Sequence, residues 1–120
     1  MATFDKDTLK RLHDQQEVAI RTAKHPATSV TIWVVASDDD VYVRSVRAAK
    51  GRWYMDLAKG GEATLQVSGQ HVPVKAIPAT DAASVERASS EYLRKYRTSP
   101  YAQGMVKAET LPTTLRLEPR

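Results

Sequence analysis

Residues 30–57 decide the fold, and they read VTIWVVASDDDVYVRSVRAAKGRWYMDL. Residues 30–36 are β-branched or apolar almost throughout, which predicts a strand. The acidic residues 37–40 then predict a turn, and residues 41–46 predict a strand that returns beside the first to form a hairpin. Both faces of strand 30–36 carry apolar side chains. Its second face is therefore expected to be covered by a helix, a flat ligand or a second subunit.

The sequence before this hairpin predicts one helix and one strand. Asp5 or Asp7 is expected to cap a short helix whose inner side carries Phe4, Leu9 and Leu12. From residue 17 onward, apolar and polar residues alternate with a period of two, which indicates a half-buried strand. The segment 24–29 contains a proline and is predicted to be a loop.

After the hairpin the predicted elements are a helix, two strands, a longer helix and a last strand. The first helix covers residues 51–59 and stops at Gly60-Gly61. Strands 62–67 and 72–77 follow, then a helix capped by Asp81 or Thr80 that ends at Ser99-Pro100, a helical turn over 101–107, and strand 113–118. Three strands before the first crossover argue against a parallel sheet. Six mostly antiparallel strands in one domain over residues 1–120 favour a compact barrel with peripheral helices, of mainly β α+β class.

Composition excludes several classes of site. The 120 residues include no cysteine, so disulfides, zinc–thiolate centres and thiol chemistry are excluded.

No apolar run reaches the roughly 20 residues of a membrane span, and the charged start lacks the apolar stretch of a secretion signal. We expect a cytoplasmic protein without membrane association. The three histidines, His13, His25 and His71, show no metal-ligand spacing, so no metal site is expected.

Positive charge is concentrated in one segment. Residues 44–59 contain five basic residues and one acidic residue, and their net charge of +4 equals that of the whole chain. Such a patch indicates either an anionic partner or a solvated basic face. Nucleic acid is disfavoured as that partner, because the overall charge is modest and aromatic residues are not interleaved with the basic ones. A bound phosphate is the alternative, since Lys50-Gly51-Arg52 opens the predicted helix.

The same residues carry a family resemblance. TIWVV at residues 31–35, followed by an acidic turn and VYVRSV at residues 41–46, resembles the second and third barrel strands of pyridoxamine phosphate oxidase-like and deazaflavin-dependent nitroreductase-like proteins. Together with TTLRL at residues 113–117, the run also resembles a family of small uncharacterised proteins assigned to that superfamily, and this resemblance covers nearly the full length of the chain. The resemblance implies a six-stranded antiparallel split β-barrel that forms a homodimer.

The resemblance also implies where a cofactor would bind. In those families the flavin phosphate lies where the third strand ends and the next helix begins. Arg44, Ser45 and Lys50 stand at the positions that hold the phosphate, and Thr31 and Trp33 at positions that flank the ring or the ribityl chain. The full set of implied cofactor-binding residues is Thr31, Trp33, Arg44, Ser45, Lys50, Arg52 and Trp53. By position alone, Tyr101 and Met105 are expected at the same cleft.

Two functions follow as hypotheses. The first is an oxidoreductase that uses FMN or a deazaflavin coenzyme and acts on a small organic substrate, with the cofactor supplying the redox chemistry. That hypothesis fits a sequence in which no acid, base or nucleophile can be identified as catalytic. The alternative is a non-catalytic dimeric barrel that has lost the cofactor and binds a small molecule or another protein.

Overall fold

Six antiparallel strands close into a barrel in the computed structural model, which describes residues 3–120. The strands are β1 (Glu17–Thr22), β2 (Val30–Ser37), β3 (Asp40–Val43), β4 (Gly61–Val67), β5 (Gln70–Pro78) and β6 (Leu115–Pro119). Around the barrel their order is β1-β2-β3-β6-β5-β4, and β4 pairs with β1 to complete the closure. The predicted fold class is confirmed. The first two residues of the predicted domain lie outside the described part of the chain.

Alternation along the strands fills the barrel interior. Inward positions carry β-branched and aliphatic side chains, as the pairs Ile20–Leu65 and Val43–Leu115 in the register illustrate. Helices α1 (Lys6–Asp14) and α2 (Arg52–Leu57) add apolar residues to the same core, including Leu12 and Leu57. No helix within residues 3–120 combines the length and apolar character needed to cross a membrane.

Helix α3 (Ala82–Lys95) covers the outer face of part of β2. The apolar side of this helix packs on that face. Tyr92 is buried beside Val35, and Tyr96, just past the helix, stacks on Trp33 with ring centroids 4.0 Å apart. The predicted second apolar face of β2 is thus covered, over this part, by a helix of the same chain. Thr31, nearer the start of the strand, stays exposed.

The ends of the elements are fixed by caps and by a half-buried lysine. Asp5 caps α1 by accepting a hydrogen bond from the Thr8 amide at 2.7 Å, and Asp81 caps α3 through the Ser84 amide at 3.0 Å. Lys95 donates from Nζ to the carbonyl oxygens of Leu12, Gln15 and Val34 at 2.7–2.9 Å, which ties α3 to the end of α1 and to the barrel. Burial lowers the pKa of Lys95 to about 8.

Several predicted boundaries are wrong, and three of the differences have a clear structural cause. The third strand ends at Val43 rather than at residue 46, because its partner β6 begins only at Leu115 and offers nothing to pair with beyond that point. The last strand begins later than predicted because Leu111–Thr113 form a 3₁₀ turn containing a proline. Helix α3 stops at Lys95, four residues before Ser99, since Tyr96 leaves the helical conformation.

Candidate functional site

A cavity of about 360 Å³ opens beside the exposed start of β2. One wall is the outer face of that strand, and the other is the segment that follows β3 and leads into α2. Its volume lies within the range of small-molecule sites, about 300–1,000 Å³. The lining residues are Glu17, Val30, Thr31, Ile32, Trp33, Arg44, Ser45, Val46, Arg47, Gly51, Arg52, Trp53, Tyr101 and Met105.

The cavity brings together most of the residues predicted from the sequence. Six of the seven implied cofactor-binding residues line it; the exception is Lys50. Lys50 is exposed at the end of a 3₁₀ turn, Ala48–Lys50, that separates β3 from α2. Tyr101 and Met105 reach the cavity from the segment after α3. The sequence had not pointed to Glu17, Arg47 or Val46 as lining residues.

Arg44 is buried beneath the cavity and is held by the protein itself. Its side chain donates to Thr114 Oγ1 at 2.8 Å, to Ser89 Oγ and the Met105 carbonyl oxygen at 2.9 Å, and to the Val85 carbonyl oxygen at 2.8 Å. Four of the five N–H groups of the guanidinium are therefore used. The resemblance implied that Arg44 holds the phosphate, but a two-pronged grip by Arg44 has too few free donors in this arrangement.

The charge of Arg44 has no counter-charge in the fold. All four of its acceptors are neutral oxygens, and no ion pair within the described residues 3–120 involves Arg44. Burial lowers the pKa of the guanidinium, yet an arginine stays protonated in proteins. Its relative exposure is 1%. A permanent positive charge thus lies at the cavity wall without a carboxylate to neutralise it, which favours an anion nearby.

Ser45 presents a buried hydroxyl to the same wall. It is 1% exposed, and its Oγ is one of two buried side-chain polar atoms that lack a hydrogen-bond partner in the described part of the chain. Its backbone N–H donates to Thr113 Oγ1 at 3.0 Å, which fixes the position of the residue. Buried polar atoms are normally satisfied, so an unpartnered hydroxyl at a cavity wall fits a ligand with a polar group.

The absence of a side chain at Gly51 leaves space for the hydroxyl of Ser45. A Cβ atom at residue 51 would lie 2.3 Å from Ser45 Oγ, well inside contact distance. The φ angle of Gly51 is −64°, a value that any residue adopts, so the requirement is for space and not for backbone freedom. Gly51 therefore allows the segment before α2 to close on the end of β3 and to shape the cavity.

The aromatic walls are rigid and the rim is basic. Trp33 is stacked on Tyr96 with parallel rings, and Tyr92 Oη donates to the Trp33 carbonyl oxygen at 3.1 Å. Trp53, on α2, is 8% exposed. Arg47 and Arg52 are exposed at the rim, and no hydrogen bond or ion pair is made by their side chains within the structure as described.

Charge is unevenly distributed along the cavity. Glu17 pairs in register with Trp33, whereas Arg52 lies toward Val30, with which it also lines a second cavity. Because Val30 and Trp33 are three residues apart on one strand, these two ends are separated by about 10 Å. The end of the cavity next to α2 thus carries the exposed Arg52. The carboxylate of Glu17 lies toward Trp33, on whose other side the chain continues from β3 into Arg44.

The second cavity, of about 280 Å³, adjoins the first through Val30, Arg52 and Trp53. Asp56 and His25 lie on it, and His25 Nδ1 is 2.6 Å from Asp56 Oδ2. The sequence gave no hint of this pair, because the two residues are 31 positions apart and belong to a loop and a helix. No group of three or more potential metal ligands occurs among residues 3–120.

Comparisons with known proteins identify relatives by family and fold. The model of a family of uncharacterised proteins conserved in bacteria, DUF2255, matches residues 8–117. Among solved structures, the chain is similar to the conserved hypothetical protein Rv2991 from Mycobacterium tuberculosis, with a TM-score of 0.62 and 9% identity, over 97% of this chain and 79% of that one. At this identity the likeness concerns the fold. No curated protein matches the chain.

Proposed function

The chain belongs to the DUF2255 family of uncharacterised bacterial proteins, and on that premise we propose that it binds a phosphate-bearing flavin or deazaflavin in the larger cavity and acts as an oxidoreductase on a small organic substrate. The proposal also assigns the family to the split β-barrel superfamily of flavin-binding proteins. The observation that carries it is the buried, unneutralised charge of Arg44 beside the unpartnered hydroxyl of Ser45.

The residues at the cavity fit the phosphate end of such a cofactor. Arg47 and Arg52 have free guanidinium groups at the rim, where each offers a two-pronged grip on phosphate oxygens. Ser45 Oγ supplies a further donor from the wall. Arg44 contributes its charge from below, with one N–H left over. In this arrangement Arg47 and Arg52 would hydrogen-bond the phosphate, and the buried charge of Arg44 would attract it.

The remaining walls fit the ring system. Trp33, held flat by its stack on Tyr96, and Trp53 offer large apolar surfaces that suit a planar heterocycle. Glu17, at the far end from Arg52, is an acceptor for a ring N–H. When bound, a flavin or deazaflavin would supply the hydride chemistry. The protein's own contribution is to bind, orient and electrostatically tune it.

A second copy of the chain is the proposed cover of the cavity mouth. Val46 is 66% exposed and Tyr101 is 73% exposed, and both line the cavity. Large apolar side chains left in water at the edge of a pocket are typical of an interface. A two-fold dimer would bring the same patch from each subunit together and exclude water from the ring. Sedimentation analysis checks this: the wild-type chain should be a dimer, and Val46→Asp with Tyr101→Asp should be monomeric.

The experiment that tests the proposed function is a cofactor titration. The purified protein is titrated with FMN and, separately, with the deazaflavin coenzyme, and binding is followed by absorbance and by quenching of tryptophan fluorescence. We expect one of them to bind with Kd below about 100 μM, equivalent to about 5.5 kcal/mol. Mass spectrometry of any chromophore released from freshly purified protein identifies the natural ligand. Failure of both to bind below that concentration contradicts the proposal.

One observation favours the alternative of a non-catalytic binding protein. The phosphate clamp has fewer members than the sequence resemblance implied, because the guanidinium of Arg44 is occupied and Lys50 lies away from the cavity. On this alternative the cavity and the dimer persist, and the ligand is a different small anion. Binding of neither cofactor, with the dimer intact, would favour it.

A further inference from the structure

Three polar side chains from different elements meet at the smaller cavity. Thr22 Oγ1 donates to Asp56 Oδ2 at 2.6 Å, and His25 Nδ1 lies 2.6 Å from the same oxygen. The Asp56 side chain is only 12% exposed, whereas that of His25 is 64% exposed. The carboxylate is thus held inside the fold by α2 and β1, and the imidazole extends from it to the cavity and to solvent.

The carboxylate fixes which ring nitrogen of His25 carries the proton. Burial acts to raise the pKa of Asp56, but hydrogen bonds from Thr22 and His25 outweigh it and lower that pKa below its ordinary value. An ionised carboxylate only accepts hydrogen bonds, so Nδ1 must donate. In the neutral imidazole Nε2 is then the acceptor nitrogen. No hydrogen bond to Nε2 is formed within the part of the chain that the structure describes.

The walls of the smaller cavity define its occupant. Ile20, Val30, Trp53 and Met55 make most of the lining apolar, and the polar groups gather around His25. Arg52 adds a positive charge that no carboxylate pairs with in the described residues. A cavity of about 280 Å³ with these walls suits a small, mainly apolar molecule that carries one acidic hydroxyl.

We propose that His25 accepts the proton of a phenol or enol bound in the smaller cavity, with Asp56 as its positioning residue and Arg52 as the cation beside the resulting oxyanion. The O–H bond of the ligand breaks as an N–H bond forms at Nε2. The ligand becomes a phenolate or enolate, and the imidazole becomes an imidazolium held by the Asp56 carboxylate. This role goes beyond cofactor binding: it uses the adjoining cavity, which shares Arg52 with the larger one but alone contains His25 and Asp56.

A surface ion pair is the simpler interpretation, and the geometry argues against it. Exposed pairs are held loosely and contribute little to stability. Here Asp56 is mostly buried and is oriented by a second donor, Thr22, while the His25 amide also donates to Thr22 Oγ1 at 3.3 Å. A carboxylate that fixes a histidine while the other ring nitrogen stays free at a cavity is the arrangement of a general base.

The test uses 4-nitrophenol, because its neutral and ionised forms absorb at different wavelengths. We expect it to bind the wild-type protein and to shift toward the phenolate form relative to free 4-nitrophenol at the same pH. His25→Gln should reduce that shift at least tenfold, and Thr28→Phe, which fills the cavity, should abolish binding. His71→Gln, on an exposed strand position, is the matched control and should behave as wild type. Absence of binding, or an unchanged shift in His25→Gln, overturns the proposal.

Asp56 is tested by the tautomer of His25. Nitrogen-15 chemical shifts of the imidazole should show the proton on Nδ1 in wild-type protein, and Asp56→Asn should reverse or mix the tautomers in a variant whose urea unfolding remains cooperative. A proton on Nε2 in the wild type overturns the proposal. Cofactor titration of His25→Gln separates the two hypotheses: FMN or deazaflavin affinity should be unchanged, so either site is able to fail without the other.

Discussion

The arginines on either side of Ser45 have opposite surroundings. Arg44 is buried and makes four hydrogen bonds that join β3 to β6, to α3 and to the segment carrying Met105. Arg47 and Arg52, a few residues later, are exposed at the cavity rim and make no side-chain hydrogen bond within residues 3–120. Residues of one type in one basic segment therefore differ in role: Arg44 stabilises the fold, and we propose that Arg47 and Arg52 at the rim bind a ligand.

Removing Arg44 is expected to have the largest effect. Arg44→Met should lower the free energy of unfolding by about 3–5 kcal/mol, because it leaves buried carbonyl and hydroxyl oxygens without donors. Urea unfolding measures this. The same change at Arg94, whose side chain pairs within residues 3–120 only with Glu91 on the surface of α3, should cost no more than about 0.5 kcal/mol. Equal effects at the two positions would contradict the structural role of Arg44.

The contact between Gly51 and Ser45 should give the next largest effect. Gly51→Ala is expected to destabilise the protein by about 1–3 kcal/mol, because the new methyl group meets Ser45 Oγ. Ser45→Ala removes that oxygen, so the double variant should recover most of the loss. A double-mutant cycle of unfolding free energies measures the coupling. Additive effects would show that the two residues do not touch.

Lys95, like Arg44, donates to carbonyl oxygens of the fold, and its effect on stability is expected to be smaller and to depend on pH. The folded protein releases the Lys95 proton near pH 8, whereas the unfolded chain keeps it until about pH 10.5. Unfolding between these values takes up a proton, so Lys95 makes stability rise with pH there. Burial raises the pKa of Tyr92 and Tyr96, which makes stability fall with pH once the unfolded tyrosines ionise near pH 10.

The measurement is urea unfolding of wild type and Lys95→Met from pH 7.5 to 9.5. The unfolding free energy of the wild type minus that of Lys95→Met should increase as pH rises, because only the wild type has the Lys95 contribution. A constant gap would show that Lys95 titrates alike in the folded and unfolded states.

Sequence patterns predicted the barrel well because the side chains of a strand alternate between the apolar interior and the outer face, which gives apolar residues a period of two. The strand predicted over residues 30–36 from its β-branched and apolar run is part of β2, and of the capping alternatives Asp5 or Asp7 and Asp81 or Thr80 the structure uses Asp5 and Asp81. The end of β3 was not correctly predicted, because Val43 pairs with the first residue of β6, Leu115, which lies 72 residues later in the chain. Periodicity describes a local face and carries no information on such long-range pairing.

The candidate site was predictable in location and less so in detail. The basic segment pointed to the cavity wall, yet nothing in the sequence distinguishes Arg44, whose acceptors Thr114, Met105 and Val85 come from distant segments, from the exposed Arg47. The His25–Asp56 pair was missed for the same reason. Hydrogen-bond partners brought together by chain closure decide whether a polar residue serves the fold or a ligand.

The most direct test of the rim as a phosphate site is cofactor affinity in two matched sets of variants. Titration of whichever cofactor binds the wild type, at low salt, should show about a tenfold loss in each of Arg47→Ala and Arg52→Ala and about a hundredfold loss in the double variant. Lys50→Ala, the same loss of charge in the same segment but away from the cavity, should bind as wild type. Wild-type affinity in the double variant, or a loss confined to Lys50→Ala, would contradict this account.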